Sequence, residues 1–183
     1  MLDVSKFILK PEYFDYPESR LHGIAHTYRV MTLVWLLGER VKLPEIRKTA
    51  FMAAFIHDMA RRHDGYCNQH GRRAVKYKLP QFSDFFKQQG ATDENLKEIA
   101  FAVHNHCKFL QPGKHPYFQT LALLKDADAL DRIRISKYDL NPRMLRFKES
   151  HEMINLAEKM YYQSLSLKEF NVLTLLKIVE EIN

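Results

Sequence analysis

The segment from Thr49 to Asp58 reads TAFMAAFIHD, an apolar, alanine-rich run that ends in a histidine followed by an aspartate. Its composition predicts a buried helix with two strongly hydrated side chains at the inner end. Burying such groups costs free energy unless a partner satisfies them. A divalent metal can use both, through an imidazole nitrogen of His57 and a carboxylate oxygen of Asp58. The dipeptide is therefore the first candidate for a metal site.

The length and composition favour one all-helical domain. The chain has 183 residues, 46% of them hydrophobic, which suits a single core of ordinary size. Glycine is scarce and the apolar spacing is mostly helical. We predict one domain over residues 1–183, in which helices at about 148–182 pack on a motif-bearing core at about 20–135.

The charge favours an anionic partner. The net charge is +6, which suits either a phosphorylated small molecule or nucleic acid. Because the basic residues are scattered and form no dense tract, nucleic acid is the less favoured of the two. The apolar stripes of the C-terminal helices suit either completion of the core or a homodimer interface.

Targeting signals and cysteines predict a cytoplasmic protein. The N-terminus lacks the basic region and the long apolar run of a signal peptide. No apolar stretch approaches the roughly 20 residues that span a bilayer. Cys67 and Cys107 match no CxxC pattern, which indicates two free thiols in a reducing compartment.

Two further histidines lie on a helix predicted over residues 22–41. His22, His26 and Arg29 recur at i, i+4 and i+7 and so share one face of its first two turns. That face is either a polar site or a solvated surface with two incidental histidines. The small residues of the helix predicted at 44–58 would let it approach that face closely.

Further helices follow from periodicity, prolines and caps. They are predicted at 69–78, at a separate short segment that Pro80 starts, from the N-cap Thr92 to residue 106, at 118–130, at 148–162 and at 167–182. A capping box of Ser166 and Glu169 is expected to begin the last helix. The loops at 59–68 and 107–117 are expected to set the shape of a pocket.

The segment from Lys125 to Arg132 reads KDADALDR and holds three aspartates just after a buried leucine run. Carboxylates there need a metal, an arginine or water, and Asp131 and Arg132 are expected to form an ion pair. Two imidazoles and two carboxylates are then available for one ion: His26, His57, Asp58 and Asp126. This mixed set leaves positions open on a six-coordinate ion such as Mn²⁺, Fe²⁺, Co²⁺, Ni²⁺ or Mg²⁺. A structural zinc site would more often use cysteine.

These residues resemble the pattern of the HD superfamily of metal-dependent phosphohydrolases, in which H…HD…D lies on an all-helical core. The chain is most similar to small bacterial HD-domain proteins, through HGIAHTYRV at 22–30, HDMARRHDG at 57–65 and KDADALDR at 125–132. The resemblance implies an all-α HD domain that hydrolyses a phosphate ester or phosphoanhydride of a small molecule, a nucleotide above all. It also implies that the four residues above hold a divalent metal that activates water.

The same resemblance implies roles for other residues of the motifs. The residues expected to act in catalysis are Asp64, Asp128 and Arg61, and those expected to bind the substrate are His22, Arg29, His70, His104 and Lys125. The aspartates would orient water or protonate the leaving group. The arginines and the lysine would neutralise phosphate oxygens.

Departures from known subfamilies leave alternatives open. Arg61 and Arg62 stand where (p)ppGpp hydrolases carry two acidic residues, and the Gly-Tyr-Pro signature of cyclic-di-GMP phosphodiesterases is absent. His70, His104 or His106 could hold a second metal, as in dinuclear HD proteins. The alternative functions are a dinuclear-iron HD oxygenase and a non-catalytic HD domain that binds a nucleotide or a partner.

Overall fold

The computed structural model describes residues 2–109 and 113–182, and every regular element in these two ranges is helical. The all-α prediction is confirmed. The α-helices are α1 (Ile24–Arg40), α2 (Pro44–Ile56), α3 (His70–Arg73), α4 (Leu79–Gln88), α5 (Asp93–Asn105), α6 (Phe118–Leu130), α7 (Lys148–Glu152), α8 (Ile154–Ser164) and α9 (Val172–Ile182). Short 3₁₀ turns include Asp131–Arg134 and Pro142–Met144. Residues 110–112 of the predicted loop, and residues 1 and 183 of the predicted domain, lie outside the described residues.

Helix α2 is the centre of the molecule, in contact with α1, α5 and α6. Its residues from Thr49 to Ile56 are all buried, because neighbours cover the helix on several sides. Ala50 and Ala53 have no exposed surface, and their small side chains permit close approach of those neighbours. On another side the ring of Phe7 packs edge-on against Phe51, with 5.0 Å between the ring centres. The end of α2 therefore lies in the interior.

Residues 70–88 form one continuous helical segment, in which α3 passes through a π-helical turn, Ala74–Lys78, into α4. The predicted break before Pro80 is therefore wrong. The N–H of Leu79 donates to the carbonyl oxygen of Ala74, five residues earlier, so the helix is already widened where Pro80 lacks an N–H.

Helix α3 lies against the C-terminal end of α5, with a glycine at the contact. An ideal Cβ on Gly71 would lie 2.3 Å from the carbonyl oxygen of Val103. Since no side chain fits at that distance, the close approach of the two helices requires glycine here. The approach brings His70, the first residue of α3, beside His106 at the end of α5.

Capping residues explain where two helices begin. Thr92 caps α5, as predicted. The last helix, α9, begins later than predicted, because Asn171 Oδ1 accepts a hydrogen bond from the Thr174 N–H and the Thr174 hydroxyl accepts one from the Asn171 N–H. This reciprocal pair is a capping box, and the capping box predicted at 166–169 is wrong.

The C-terminal helices pack onto the motif-bearing core. Helix α9 contacts α1 and α8, and α8 contacts the turn Asp131–Arg134. The helix predicted at 148–162 is divided at Met153 into α7 and α8. None of the described helices is both long enough and apolar enough to cross a membrane.

Candidate metal centre and its cavity

Two helices bring three of the predicted metal ligands together. His26 lies in the first turn of α1, and His57 and Asp58 directly follow the last residue of α2. All three residues are at most 3% exposed. One potential ligand atom from each lies within 4.8 Å of the others. The ends of α1 and α2 thus place them as one buried cluster.

Hydrogen bonds fix where the lone pairs of two histidines point. His26 Nδ1 lies 2.7 Å from Asp131 Oδ2, and His57 Nδ1 lies 2.7 Å from the carbonyl oxygen of Ala54. Each Nδ1–H therefore donates, which leaves a lone pair on each Nε2. The two Nε2 atoms face each other at 3.3 Å. Two lone pairs at this distance repel unless a cation lies between them, so the residues fit a divalent metal.

Two carboxylates join the two imidazole nitrogens and complete a group of potential metal ligands, which we call the first position. Asp58 Oδ2 lies 3.6 Å from His26 Nε2 and 3.8 Å from His57 Nε2. Asp128 Oδ1 lies 3.4 Å from His26 Nε2. The first position thus consists of two imidazoles and two carboxylates, from His26, His57, Asp58 and Asp128.

Asp126, the fourth predicted ligand, faces away from this position. Its buried Oδ2 accepts hydrogen bonds from the backbone N–H groups of Arg146 (2.7 Å) and Phe147 (3.0 Å) and from the Ser150 hydroxyl (2.8 Å). Residues two apart on a helix point about 200° apart. Because Asp128 faces α1, Asp126 must face the start of α7. The prediction is corrected accordingly: Asp126 anchors α7, and Asp128 stands at the first position.

A second set of nitrogens meets the other oxygen of Asp58. Asp58 Oδ1 lies 3.0 Å from His70 Nε2 and 3.5 Å from His106 Nε2, and these two nitrogens are 2.8 Å apart. His106 Nδ1 donates to the carbonyl oxygen of Val103 at 2.7 Å, so its Nε2 presents a lone pair. We call His70, His106 and Asp58 Oδ1 the second position. Asp58 joins it to the first.

The electrostatics of the cluster favour metal binding. Burial lowers the pKa of His57 to about 3, so its imidazole is neutral at neutral pH. Burial by itself would raise the pKa of Asp58, but the surrounding imidazoles lower it well below its usual value. A neutral imidazole and an ionised carboxylate are the forms that coordinate a divalent ion.

Asp131 orients His26 from behind. Besides the proton of His26 Nδ1, it accepts hydrogen bonds from Arg29, at 2.5 Å from Nε and 3.1 Å from the terminal nitrogen. Arg29 is 4% exposed and does not line the cavity, so its predicted contact with phosphate is corrected to support of Asp131. The predicted pair of Asp131 with Arg132 is also wrong, because Arg132 pairs with Asp139 at 2.5 Å.

Asp131→Asn is expected to weaken metal binding by about 10- to 100-fold, as loss of a partner that orients a ligating imidazole does. An asparagine whose oxygen accepts from His26 turns its amide N–H groups toward the Arg29 Nε–H, in the place of Asp131 Oδ1, so it cannot keep all of these contacts. Competition with a chelator measures the affinity, and circular dichroism checks the helix content. The control is Asp93→Asn, which changes an exposed carboxylate paired with Lys87. Unchanged affinity in Asp131→Asn would contradict the orienting role.

Both positions open into one cavity of about 670 Å³, within the range of roughly 300–1,000 Å³ that is usual for small-molecule sites. Its basic lining residues are Arg61, Lys108, Lys125, Arg132, Arg134 and Arg146. Its acidic lining residues are Asp58, Asp64, Asp128 and Asp139. The apolar lining includes Leu21, Ile135, Leu140 and Met144. The surplus of basic groups favours an anionic ligand.

Two predicted phosphate-binding residues lie on the cavity wall beside the metal cluster. Arg61 Nε donates to Asp58 Oδ1 at 3.1 Å. Lys125 Nζ donates to the carbonyl oxygens of His106 (2.7 Å) and Lys108 (2.8 Å). Burial lowers the pKa of Lys125 to about 8. Both side chains are thus held in place and close to the second position.

His22 and Asp64 form a pair next to the first position and line the cavity. His22 Nδ1 lies 3.0 Å from Asp64 Oδ1, and the Ser19 hydroxyl donates to the same oxygen. Burial lowers the pKa of His22 to about 4, so its ring is neutral and Nδ1–H donates. The ring centres of His22 and His26 are 5.9 Å apart. This geometry leaves His22 Nε2 as an acceptor.

The structure corrects one histidine and adds residues that carry no motif. His104 precedes His106 by two residues at the end of α5, so its side chain points to another side and does not line the cavity. Arg134 and Arg146 line the cavity from the turn after α6 and from the loop before α7. The sequence alone does not identify these two arginines, because only the fold brings them to the cavity. Asp128 and Asp131, which both face α1, are three residues apart, and this spacing could have indicated that they lie on the same side of the segment.

Both cysteines are free thiols, as predicted, and both line the cavity. Cys67 Sγ accepts a hydrogen bond from the Arg73 guanidinium at 3.6 Å. Cys107 Sγ donates to the carbonyl oxygen of Asn68 at 3.3 Å. The two thiols therefore have different surroundings.

A solved structure shares this fold: a predicted HD superfamily hydrolase from an uncultured Thermotogales bacterium. The two chains are 22% identical, the likeness covers 84% of this chain and 83% of the other, and the TM-score is 0.58. No family model and no curated protein matches the sequence. The fold is therefore the all-α fold of an HD-type protein, with histidines and aspartates gathered at its centre.

Proposed function

We propose that this chain is a metal-dependent hydrolase that cleaves a phosphate ester or phosphoanhydride in a small molecule, a nucleotide above all. The observation that carries the proposal is the meeting of imidazole lone pairs and carboxylate oxygens beside a cavity rich in basic residues. Several cations that line one cavity suit the negative charge that is spread over a phosphoryl group.

The first position would hold one divalent ion, from among Mn²⁺, Fe²⁺, Co²⁺, Ni²⁺ and Mg²⁺, with His26, His57, Asp58 and Asp128 as ligands. When bound, such an ion polarises a phosphoryl oxygen and makes water a stronger nucleophile near neutral pH. The second position would hold another ion through His70 and His106, with Asp58 shared between the two.

The side chains of the cavity wall would bind and orient the substrate. Lys125 uses two of its three N–H donors on carbonyl oxygens, which leaves one for a phosphoryl oxygen. Arg61, already fixed by Asp58, would place a second cation beside the phosphoryl group. His22, held by Asp64 through Nδ1, presents Nε2 to accept a hydrogen bond from the attacking water.

An apolar wall supports the choice of a nucleotide over inorganic or aliphatic phosphates. Ile135, Leu140 and Met144 line the same cavity as the basic groups. Tyr66 also lines it and is 88% exposed, so its ring is available for stacking. A nucleotide matches this combination of basic and apolar groups, because its phosphates are anionic and its base has large apolar faces.

Lys125→Met is expected to raise KM for the phosphorylated substrate by about 10- to 100-fold, the effect of one lost charge-assisted hydrogen bond. Methionine keeps an unbranched side chain of nearly the same length but removes the charge and the donors. Steady-state kinetics measure KM, and metal analysis checks that the ions remain. Lys97→Met removes an exposed lysine that pairs with Glu94 and serves as the control. An unchanged KM in Lys125→Met would remove Lys125 from the substrate site.

Metal analysis of the purified protein, followed by a phosphate-release screen, tests the proposal as a whole. The screen covers nucleoside mono-, di- and triphosphates with Mn²⁺, Co²⁺, Ni²⁺ and Mg²⁺. Bound metal with phosphate release from a nucleotide is the expected result. Metal binding without release from any phosphorylated compound would contradict the hydrolase and favour a binding domain.

The second position supports one alternative function, that of a dinuclear-iron oxygenase. An HD oxygenase needs two irons in the same cavity, and the two positions joined by Asp58 offer places for both. Two irons per chain, with oxygen consumption and no phosphate release, would replace the hydrolase by this oxygenase. The basic lining of the cavity favours the phosphorylated substrate.

A further inference from the structure

We propose that Cys107 supplies a thiolate ligand at the second position, together with His70 and His106. The second position would then bind a thiophilic ion such as Zn²⁺, Fe²⁺ or Co²⁺ in preference to Mg²⁺. This inference rests on the second ion of the proposed function and assigns that ion a ligand outside the histidine and aspartate pattern. The two positions would consequently differ in the metals they select.

The three potential ligand atoms are close enough for one ion. A nitrogen of His70, a nitrogen of His106 and Cys107 Sγ all lie within 4.8 Å of one another. Typical Zn–N and Zn–S bonds of about 2.1 and 2.3 Å place the nitrogen and sulfur of a tetrahedral site roughly 3.6 Å apart. Closing that difference needs only side-chain adjustment. The set therefore forms a compact group.

The packing of α3 against α5 accounts for the position of the thiol. Cys107 comes directly after His106, and an ideal Cβ on Gly71 would lie 3.2 Å from Cys107 Sγ. The sulfur thus lies against the backbone beside His70, where any larger residue at position 71 would crowd it. Its S–H donates to the carbonyl oxygen of Asn68 at 3.3 Å, and a thiol is a weak donor. Burial raises the pKa of this thiol, so an ion that binds here would have to displace the proton.

His70 provides an independent indication of a missing ligand. Within the described part of the chain, its buried Nδ1 has no hydrogen-bond partner, whereas Nδ1 of His26, His57 and His106 each has an acceptor. A buried polar atom without a partner destabilises the folded protein. Asp58 Oδ1 and the lone pair of His106 Nε2 both face His70 Nε2, so without an ion the proton of His70 is on Nε2. Its Nδ1 is then a buried acceptor whose partner is missing.

Ligand chemistry separates the two positions. The first offers imidazole nitrogen and carboxylate oxygen, which suit many divalent ions. A thiolate at the second adds a soft ligand, which Mg²⁺ avoids and which Zn²⁺, Fe²⁺ and Co²⁺ accept. The net charge of the metal centre is also compatible with a thiolate ligand. Two divalent ions bring four positive charges, against three negative charges from Asp58, Asp128 and Cys107, so the centre still attracts an anionic phosphate.

Titration of the metal-free, full-length protein with Co²⁺ tests this ligand directly, because cobalt bound to thiolate absorbs in the near ultraviolet through sulfur-to-metal charge transfer. The wild type is compared with Cys107→Ser and Cys67→Ser. Cys67→Ser leaves Cys107 as the only cysteine of the chain, so a charge-transfer band in that variant can come from no other thiol. The expected result is a band at the second equivalent of Co²⁺ in the wild type and in Cys67→Ser, and its loss in Cys107→Ser.

The other outcomes separate this inference from the proposed function. Two bound Co²⁺ ions without a band in the wild type would leave the second ion in place and overturn the thiolate ligand. A band that survives in Cys107→Ser and disappears in Cys67→Ser would also overturn it. Binding of one Co²⁺ alone, without a band, would contradict the second ion itself. The Cys67→Ser result stands even if Cys107→Ser fails to fold.

Discussion

Asp58→Asn is expected to lose bound metal at both positions and to lower the rate of phosphate release by roughly a hundredfold or more, since metal ions contribute several kcal/mol to such reactions. Four imidazole Nε2 atoms lie within 3.8 Å of the Asp58 carboxylate. Asparagine has nearly the same shape but no charge. Its single oxygen can face only one of the two positions, and its amide hydrogens would point at the lone pairs of the other.

Metal analysis after dialysis and a phosphate-release assay measure the two effects, with circular dichroism to show that the helices remain. Asp84→Asn, at an exposed position on α4, controls for the change of one charge. Stoichiometric metal in Asp58→Asn would remove Asp58 from the ligand set. It would also remove the link between the two positions, and the proposed function would then have to rest on the first position without a shared carboxylate.

The parts of the site that follow from the sequence are those set by local chemistry. The segment ending in His57 and Asp58 predicts both a buried helix and two polar groups at its inner end, and both are found. His26 lies in α1 as predicted, but α1 begins at Ile24 and not at residue 22. His22 therefore precedes the helix, and its bond to Asp64, not a helical i, i+4 pattern, holds it beside the site. A buried helix is enough to place His57 and Asp58, whereas the position of His22 depends on the loop that holds Asp64.

The choice between Asp126 and Asp128 could not be made from the sequence. Either carboxylate of the pair is compatible with the motif, and helical periodicity says only that the two face opposite ways. Which of them faces α1 depends on the rotation of α6, and that rotation is set by the core and by the segment around Arg146. The same reasoning applies to Arg29, whose role depends on Asp131, far away in the sequence.

The N-terminal cap of the last helix shows a different reason for error. Ser166 and Glu169 have the residue types of a capping box, but so do Asn171 and Thr174. Both pairs are locally competent, and residue type alone does not rank them. The packing of α9 against α1 decides between them. Competing local signals of similar strength are therefore resolved by tertiary contacts.

Asp126→Asn and Asp128→Asn are expected to have opposite effects, although the residues are neighbours in one motif. Asp128→Asn should remove metal from the first position and abolish most activity, with little change in stability, because its side chain is 29% exposed. Asp126→Asn should keep the metal but lower the free energy of unfolding by about 3 kcal/mol, since a buried carboxylate bound to a guanidinium and to backbone N–H groups is lost.

Urea unfolding and metal analysis of both variants measure this pair of effects in one experiment. The two variants are matched, because each replaces an aspartate of α6 by asparagine. If Asp126→Asn lost the metal while Asp128→Asn kept it, the fourth ligand would be Asp126, and α6 would have to be rotated from the orientation described above. That rotation would break the contacts of Asp126 with the start of α7. The stability of Asp126→Asn therefore reports on the orientation of α6, independently of any assay of activity.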